Sequence, residues 1–153
     1  MKTIMVRSNE REEMVEITRE VEDLLAETVE THPVAETAAP RSSRKEGSLV
    51  LFTQHTTCGL TINENADPDV KRDMLAWLRW LVPQYPDAAG KGAGAPAFRH
   101  FEHNSDAHIK SSLVGSSVTV PFSSGKLLLG RWQGIYLCEF DGPRERKVIV
   151  TVL

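Results

Sequence analysis

The stretch HTTCGLTINENADPDVKRDM, residues 55–74, is the part of the chain that decides the fold. It follows residues 48–54, whose apolar side chains alternate between two faces, the pattern of a strand buried on both sides. His55 continues one of these faces, so its ring is expected at the rim of the core. That position suits a metal ligand or an acid/base group. A structural histidine bonded to a main-chain carbonyl is the alternative.

The second half of this stretch predicts a short strand at residues 59–62 and then a helix. Asp67 is a suitable N-cap and Pro68 a suitable first helical residue. Apolar residues recur at helical spacing, which predicts an amphipathic helix that covers a sheet. Between the strand and the helix, Asn63 is a candidate for substrate binding and Glu64 for catalysis, with turn formation as the alternative for the asparagine. The apolar helical positions are Val70, Met74, Trp77, Leu78 and Leu81.

The remainder of the chain predicts an α+β fold, because helices are inserted between strands without strict alternation. Strands at residues 3–8 and 14–17 are expected to form a hairpin, and Thr18 begins a helix with one apolar stripe. Ser105 is expected to cap a short helix. From residue 116 onward, short strands separated by tight turns predict an antiparallel meander.

The composition limits the class of protein. With 153 residues the chain fits a single domain, and its net charge of -3 provides no general basic surface for nucleic acid. No segment is apolar enough for a signal peptide or a membrane span, and Cys58 and Cys138 lack metal-site spacing. We therefore expect a cytoplasmic protein that binds neither nucleic acid nor membrane, with surface loops at residues 31–47 and 84–100.

Four of the five histidines fall in two blocks of the sequence. His55 belongs to the first block, and His100, His103 and His108 lie before or within the predicted short helix. If that helix packs near the end of the His55 strand, three imidazoles converge, and three histidines with water form a common open metal site. The pattern therefore predicts a metal or catalytic role for His55, His100 and His108, with a divalent metal ion, zinc or magnesium, as the expected cofactor. Structural histidines are the alternative.

Further polar residues could carry chemistry. Glu139 falls on the apolar face of its predicted strand, so its carboxylate is expected to be partly buried and suited to a catalytic role. A salt bridge to Arg144 or Arg146 is the alternative. Individually, the remaining candidates are as well explained by solvated surface or core positions. These candidates for substrate contact are Lys110, Trp132 and Gln133.

The motifs HTTCGLTINEN, DPDVKRDM, NSDAHIKSSLVGSSVTVPF and LLLGRWQGIYLCEFDGPRERKVIV together resemble the YjbQ family, known as secondary thiamine-phosphate synthase enzymes. The resemblance covers residues 47–153. It implies an α+β fold with an antiparallel β-sandwich-like core, a few covering helices and assembly as a homotrimer. It also implies a metal pocket formed by His55, His100 and His108, with Asn104 contacting substrate and Asp106 in catalysis.

The activity that the resemblance implies is the attack of a thiazole phosphate on a pyrimidine diphosphate, with release of pyrophosphate. The ligand would then be a small anionic metabolite. The chain lacks a Gly-rich phosphate loop, so a non-catalytic trimeric module that binds a metal or a metabolite is the competing interpretation. Two residues depart from the family pattern: His103 stands where a glycine is usual, and Arg131 where a threonine is usual.

Overall fold

The computed structural model of the protein describes residues 1–30, 46–85 and 97–153. Most of the two predicted loops, together with His32, lies outside these residues. No helix in the described part of the chain combines the length and apolar character needed to cross a bilayer. The elements of the described residues are β1 (Lys2–Arg7), β2 (Glu13–Glu16), α1 (Thr18–Glu30), β3 (Glu46–Thr53), β4 (Cys58–Glu64), α2 (Pro68–Leu81), α3 (Ser105–Val114), β5 (Ser117–Ser123), β6 (Lys126–Leu127), β7 (Gln133–Glu139) and β8 (Glu145–Val152).

The strands form two antiparallel sheets, which confirms the predicted α+β class. The large sheet has the order β1-β8-β3-β5-β6, and the small sheet has the order β2-β7-β4. A first core lies between the sheets and receives one face of α1 through Val21, Leu24 and Leu25. A second, smaller core lies on the other side of the small sheet, beneath α2 and α3. The small sheet is therefore the middle layer of the molecule.

The central strand of the small sheet, β7, supplies side chains to both cores. Ile135 and Leu137 belong to the first core, whereas Tyr136 and Cys138 belong to the second. This division follows the two-residue period of a strand. Because β7 is covered on both faces, polar residues near its ends are drawn into buried surroundings, and the candidate site is built around those ends.

Two expected connections are wrong. Residues 3–8 and 14–17 do not form a hairpin, because β1 pairs with β8 in the large sheet and β2 pairs with β7 in the small one. The meander is also wrong beyond the β5–β6 hairpin, since β7 and β8 lie in different sheets. Strand and turn signals are local, but the choice of sheet depends on which core each apolar face joins. Tight turns in this chain frequently lead from one sheet to the other.

The predicted start of α2 is confirmed, but its apolar face is only partly right. Asp67 is the N-cap, and its Oδ1 accepts a hydrogen bond of 2.8 Å from the main-chain N of Asp69. Met74 and Leu78 pack against the second core. Trp77 instead remains 65% exposed and stacks on Trp80, with ring centroids 4.6 Å apart. The apolar positions extend around more of the helix than the small sheet can cover. Val70 is half-buried and Leu81 is 50% exposed.

The chain enters α3 through a residue in the left-handed region, His103, with a φ of 54°. Asn104 is the N-cap, one residue earlier than predicted, and Gly115 ends the helix with a φ of 100°. A glycine adopts positive φ without the steric cost that a Cβ imposes. The histidine at position 103 therefore bears a backbone strain that a glycine would not.

We expect His103→Gly to raise the free energy of unfolding by about 0.5–1 kcal/mol, because glycine has no Cβ to strain the backbone at positive φ. The His103 side chain is exposed, so little packing should be lost. Urea denaturation measures the change. Ser112→Gly is the control, since Ser112 is exposed within α3 and a glycine placed inside a helix should destabilise by about 0.5–1 kcal/mol. Equal losses in both variants would contradict the strain at His103.

Candidate functional site

The register of the small sheet separates the predicted site residues into two groups. Cys58 of β4 lies opposite Glu139 of β7, and six residues further along β4, Glu64 lies opposite Gln133. At about 3.4 Å per residue these two ends are roughly 20 Å apart. We call the first the histidine end, because His55 immediately precedes it, and the second the amide end. Within one chain, the predicted site residues therefore lie at two separate ends of the small sheet.

Side chains at the amide end make local hydrogen bonds. Asn63 Oδ1 accepts from the main-chain N of Glu64 at 2.7 Å, and Gln133 Oε1 accepts from the main-chain N of Gly130 at 2.8 Å. The bond of Asn63 fits its turn-forming alternative. Trp132 is 55% exposed, with the guanidinium carbon of Arg131 4.7 Å from its ring centroid, so it is not a core residue. Glu64 is half-buried at the end of β4.

At the histidine end, Glu139 is part of a buried ion pair. It is fully buried and accepts hydrogen bonds from Arg146 Nε at 2.6 Å and Nη2 at 2.5 Å, and from Ser8 Oγ at 3.2 Å. Burial acts to lower the pKa of Arg146, but the hydrogen bonds and charge of Glu139 outweigh it, so that pKa is raised. The salt-bridge alternative for Glu139 is the one observed. Its carboxylate is fully engaged, which argues against a catalytic role.

Asp106 and Lys110 belong to a second buried network. Lys110 is 1% exposed, and its Nζ donates to Asp106 at 2.8 Å and to Glu12 at 2.5 Å. Arg11 donates to both oxygens of Asp106, at 3.0 and 3.2 Å. Burial acts to raise the pKa of Asp106, but Arg11 and Lys110 lower it overall. Arg79 of α2 completes the network through Glu12.

This network gives a structural explanation for two predicted site residues. The Lys110 ammonium is buried between carboxylates, which argues against its contacting an anionic substrate. Asp106, with no exposed surface, fastens α3 to the segment between β1 and β2. The helical spacing of Asp106 and Lys110 was a visible signal for their pairing. Arg11 and Glu12 were missed because in sequence they are only part of a charged turn.

The structure brings together two of the three predicted metal ligands. The rings of His100 and His108 stack with centroids 5.5 Å apart and planes inclined by 25°. His55 is engaged separately: its Nε2 accepts a hydrogen bond of 2.9 Å from the main-chain N of Lys147. Burial, followed by the charge of Arg146, lowers the pKa of His55, which suits an imidazole that accepts from an N–H.

The expected convergence of three histidines is not observed. Within residues 1–30, 46–85 and 97–153, no group of three or more His, Cys, Asp or Glu side chains is arranged to hold a metal ion. His100 and His108 supply two nitrogen donors, whereas an open zinc site uses three protein ligands. The described residues therefore do not by themselves fit the predicted metal.

Asn104 occupies the centre of the histidine end. The residue as a whole is 5% exposed. Its side-chain Nδ2 donates to Asp141 Oδ2 at 3.0 Å and to Glu102 Oε2 at 3.3 Å. Arg144 donates to the same Asp141 oxygen at 2.8 Å. Asn104 and His108 are four residues apart and share one face at the start of α3. The start of α3 thus has an amide that donates to two carboxylates, together with the stacked pair of imidazoles.

Comparison with known proteins places this arrangement in a family. A family model described as UPF0047 protein YjbQ-like matches residues 2–153. The chain belongs to the YjbQ-like UPF0047 family. It is 42% identical over 153 residues to the UPF0047 protein YugU of Bacillus subtilis, covering 100% of this chain and 98% of YugU. It is 44% identical over 148 residues to the UPF0047 protein MJ1081 of Methanocaldococcus jannaschii, covering 97% of this chain and 90% of the relative.

Solved structures share the fold along the whole chain. The crystal structure of the conserved hypothetical protein TT1486 from Thermus thermophilus matches with a TM-score of 0.79 and 39% identity, covering 100% of both chains. A YjbQ/UPF0047 family protein from Clostridium acetobutylicum matches with a TM-score of 0.77 and 39% identity, also covering 100% of both chains. The two-sheet architecture of this YjbQ-like protein is therefore that of its solved relatives.

Proposed function

We propose that this YjbQ-like protein is a transferase that joins a thiazole phosphate to a pyrimidine diphosphate and releases pyrophosphate, with the histidine end as its site. The observation that carries the proposal is the stacked His100–His108 pair at the start of α3, the helix for which buried Asn104 is the N-cap. Neither imidazole belongs to the two buried ion networks. An imidazole is suited to deliver a proton to a leaving group near neutral pH. A small anionic metabolite is the corresponding ligand class.

The start of α3 supports an anion at this position. The unpaired main-chain N–H groups and the dipole at a helix N-terminus favour negative charge, and α3 begins at Ser105, between the two histidines. In this assignment His108 is the proton donor to the departing pyrophosphate, and His100 orients its ring.

The resemblance also implies a divalent metal ion, zinc or magnesium, as cofactor. A bound ion would neutralise charge on the diphosphate. His100 and His108 support it as two nitrogen donors, but His55 is engaged elsewhere, so we assign no step to the metal. Elemental analysis of protein purified without an affinity tag tests this part of the proposal, and a stoichiometric ion that is lost in His100→Ala would support it.

A non-catalytic metabolite-binding module is the second candidate. It is favoured by the engagement of Glu139, Asp106 and Lys110 in buried ion pairs, which removes three predicted catalytic or substrate contacts from the open surface. The discriminating experiment incubates wild-type protein with both proposed substrates and measures pyrophosphate release. Turnover supports the transferase, whereas saturable binding of either substrate without turnover supports the module.

The proposal includes assembly as a homotrimer. It is supported by the outer face of the large sheet, where Phe52 and Met5 remain 41% and 49% exposed and Phe52 lies opposite Ile149. Val21, Leu24 and Leu25 of α1 lie in the first core, and Met74, Leu75 and Leu78 of α2 pack against the second core. Light scattering at micromolar concentration should give three times the chain mass, and Phe52→Glu should reduce it. A monomeric wild type would contradict this assembly.

We also place the protein in the cytoplasm, and its cysteines support this assignment. Cys58 and Cys138 are both free and buried. They belong to different cores on opposite faces of the small sheet, so a disulfide between them would require rearrangement. Burial raises the pKa of the Cys138 thiol to about 12. Fractionation of cells that produce the untagged chain tests the location.

A further inference from the structure

The side-chain amide of Asn104 has a fixed orientation. Its Nδ2 donates to Asp141 Oδ2 at 3.0 Å and to Glu102 Oε2 at 3.3 Å. An ionised carboxylate only accepts hydrogen bonds, so exchanging the amide N and O would set oxygen against oxygen. Oδ1 is therefore the atom left over, and among the residues that the structure describes it is the one buried side-chain N or O without a hydrogen-bond partner.

The secondary structure does not account for this free acceptor. Asn104 is the N-cap of α3, where an asparagine oxygen normally accepts from a main-chain N–H of the first turn, yet no such bond is made. The two carboxylates hold the amide away from that role. A buried acceptor without a partner is costly, and in a native protein such a group calls for an explanation, such as a catalytic role or a bound water or ion.

The surroundings define the ligand group that would complete the bond. A second donor in the same group could reach Asp141 or Glu102, which flank the amide, so a group with two N–H donors fits better than a hydroxyl. His108 shares the helix face of Asn104 and stacks on His100, which offers an aromatic surface to a flat ring. Nearby carboxylates also favour a donor over a phosphate.

We propose that Asn104 is a specificity-determining contact that recognises the amino group of an amino-substituted nitrogen heterocycle, with Oδ1 accepting one N–H and a flanking carboxylate accepting the other. This rests on the proposed function, because it assigns an amino group to the pyrimidine substrate and a position to its ring. The phosphate-bearing part of the ligand then points away from Glu102 and Asp141, towards His100 and the start of α3.

The test compares 4-aminopyrimidine with 4-methylpyrimidine, which has the same shape but no N–H donor. NMR titration of the full chain follows the side-chain amide signals of Asn104 and the ring signals of His108. We expect both to shift, with a dissociation constant on the order of tenfold lower for the amino compound. Equal dissociation constants, or shifts confined to Asn63 and Asn65 at the amide end, would overturn the proposal.

Two variants extend this test. Asn104→Leu should bind both pyrimidines equally, whereas Asn65→Leu, which changes an exposed asparagine at the amide end, should keep the preference for the amino compound. If zinc or magnesium chloride alone shifts the Asn104 signals and displaces 4-aminopyrimidine, Oδ1 is a metal ligand and the proposal fails. The comparison of ligands on wild type remains decisive even if Asn104→Leu folds poorly.

Failure of this inference is separable from failure of the proposed function. Wild type that prefers 4-aminopyrimidine but releases no pyrophosphate would keep the Asn104 contact and remove the transferase. Pyrophosphate release with an unchanged KM for the pyrimidine diphosphate in Asn104→Leu would keep the transferase and remove the contact.

Discussion

Arg146→Met is expected to lower the free energy of unfolding by about 3–5 kcal/mol, because it leaves the Glu139 carboxylate buried without its partner. Glu139 is fully buried, and Arg146 supplies its Nε and Nη2 donors at 2.6 and 2.5 Å. The remaining donors include the main-chain N of Phe140 and of Asp141, at 3.0 and 2.8 Å. These neutral groups do not replace a full positive charge. The hydrogen bond from Arg146 Nη2 to Thr57 Oγ1 is also lost in the variant.

Equilibrium urea denaturation at neutral pH measures this loss. Arg144→Met is the matched control, since its side chain is 53% exposed and pairs with Asp141 at the surface, so its loss should stay below about 1 kcal/mol. In the double variant Arg146→Met/Glu139→Leu, removal of both charges should restore a large part of the stability. A loss in Arg146→Met no greater than that in Arg144→Met would show that the buried pair is energetically unimportant.

A further variant, Glu139→Gln, tests the catalytic prediction for Glu139. If Glu139 is structural, activity per folded molecule in Glu139→Gln should stay close to that of wild type, while stability falls. If it takes part in the reaction, activity should fall in molecules that are still folded. The buried ion pair with Arg146 supports the first result.

Local features of the fold were predictable from sequence because they depend on neighbouring residues. The alternation in residues 48–54 identified β3, and Asp67 with Pro68 located the start of α2. Assignment of strands to sheets was not predictable in this way. β1 and β2 are separated by five residues, yet they pair with β8 and β7 in different sheets. That choice is set by long-range packing, which no local pattern contains.

The residue types of the candidate site were predictable from the sequence, whereas most of the distances between those residues were not. His100 and His108 meet because both flank the start of one helix, a relation that sequence spacing contains. His55 comes from a strand end, and its position relative to α3 depends on how the small sheet is placed. Glu64 and Gln133 lie opposite each other at the far end of that sheet because of a strand register that the sequence alone did not determine.

His108→Ala is expected to reduce pyrophosphate release by at least about 100-fold, the usual contribution of a positioned proton donor. The fold should survive, since His108 is half-buried on α3 and lies outside both buried ion networks. Its main contact is the ring of His100. Pyrophosphate release, melting temperature and metal content are measured side by side on wild type and variant. His103→Gly serves as the control, because it removes an exposed imidazole nearby without touching the stacked pair.

Each result assigns a different role to His108. A large loss of turnover with unchanged melting temperature and metal content supports the proton donor. Loss of a bound ion together with turnover makes His108 a metal ligand, as the resemblance implies, and the effect should then reach at least the roughly 10–100-fold typical of weakened metal sites. A fall in stability of about 1–3 kcal/mol with retained turnover per folded molecule makes it structural. In that last case His108 is not the proton donor, and the proposed assignment of the start of α3 as the reaction site fails.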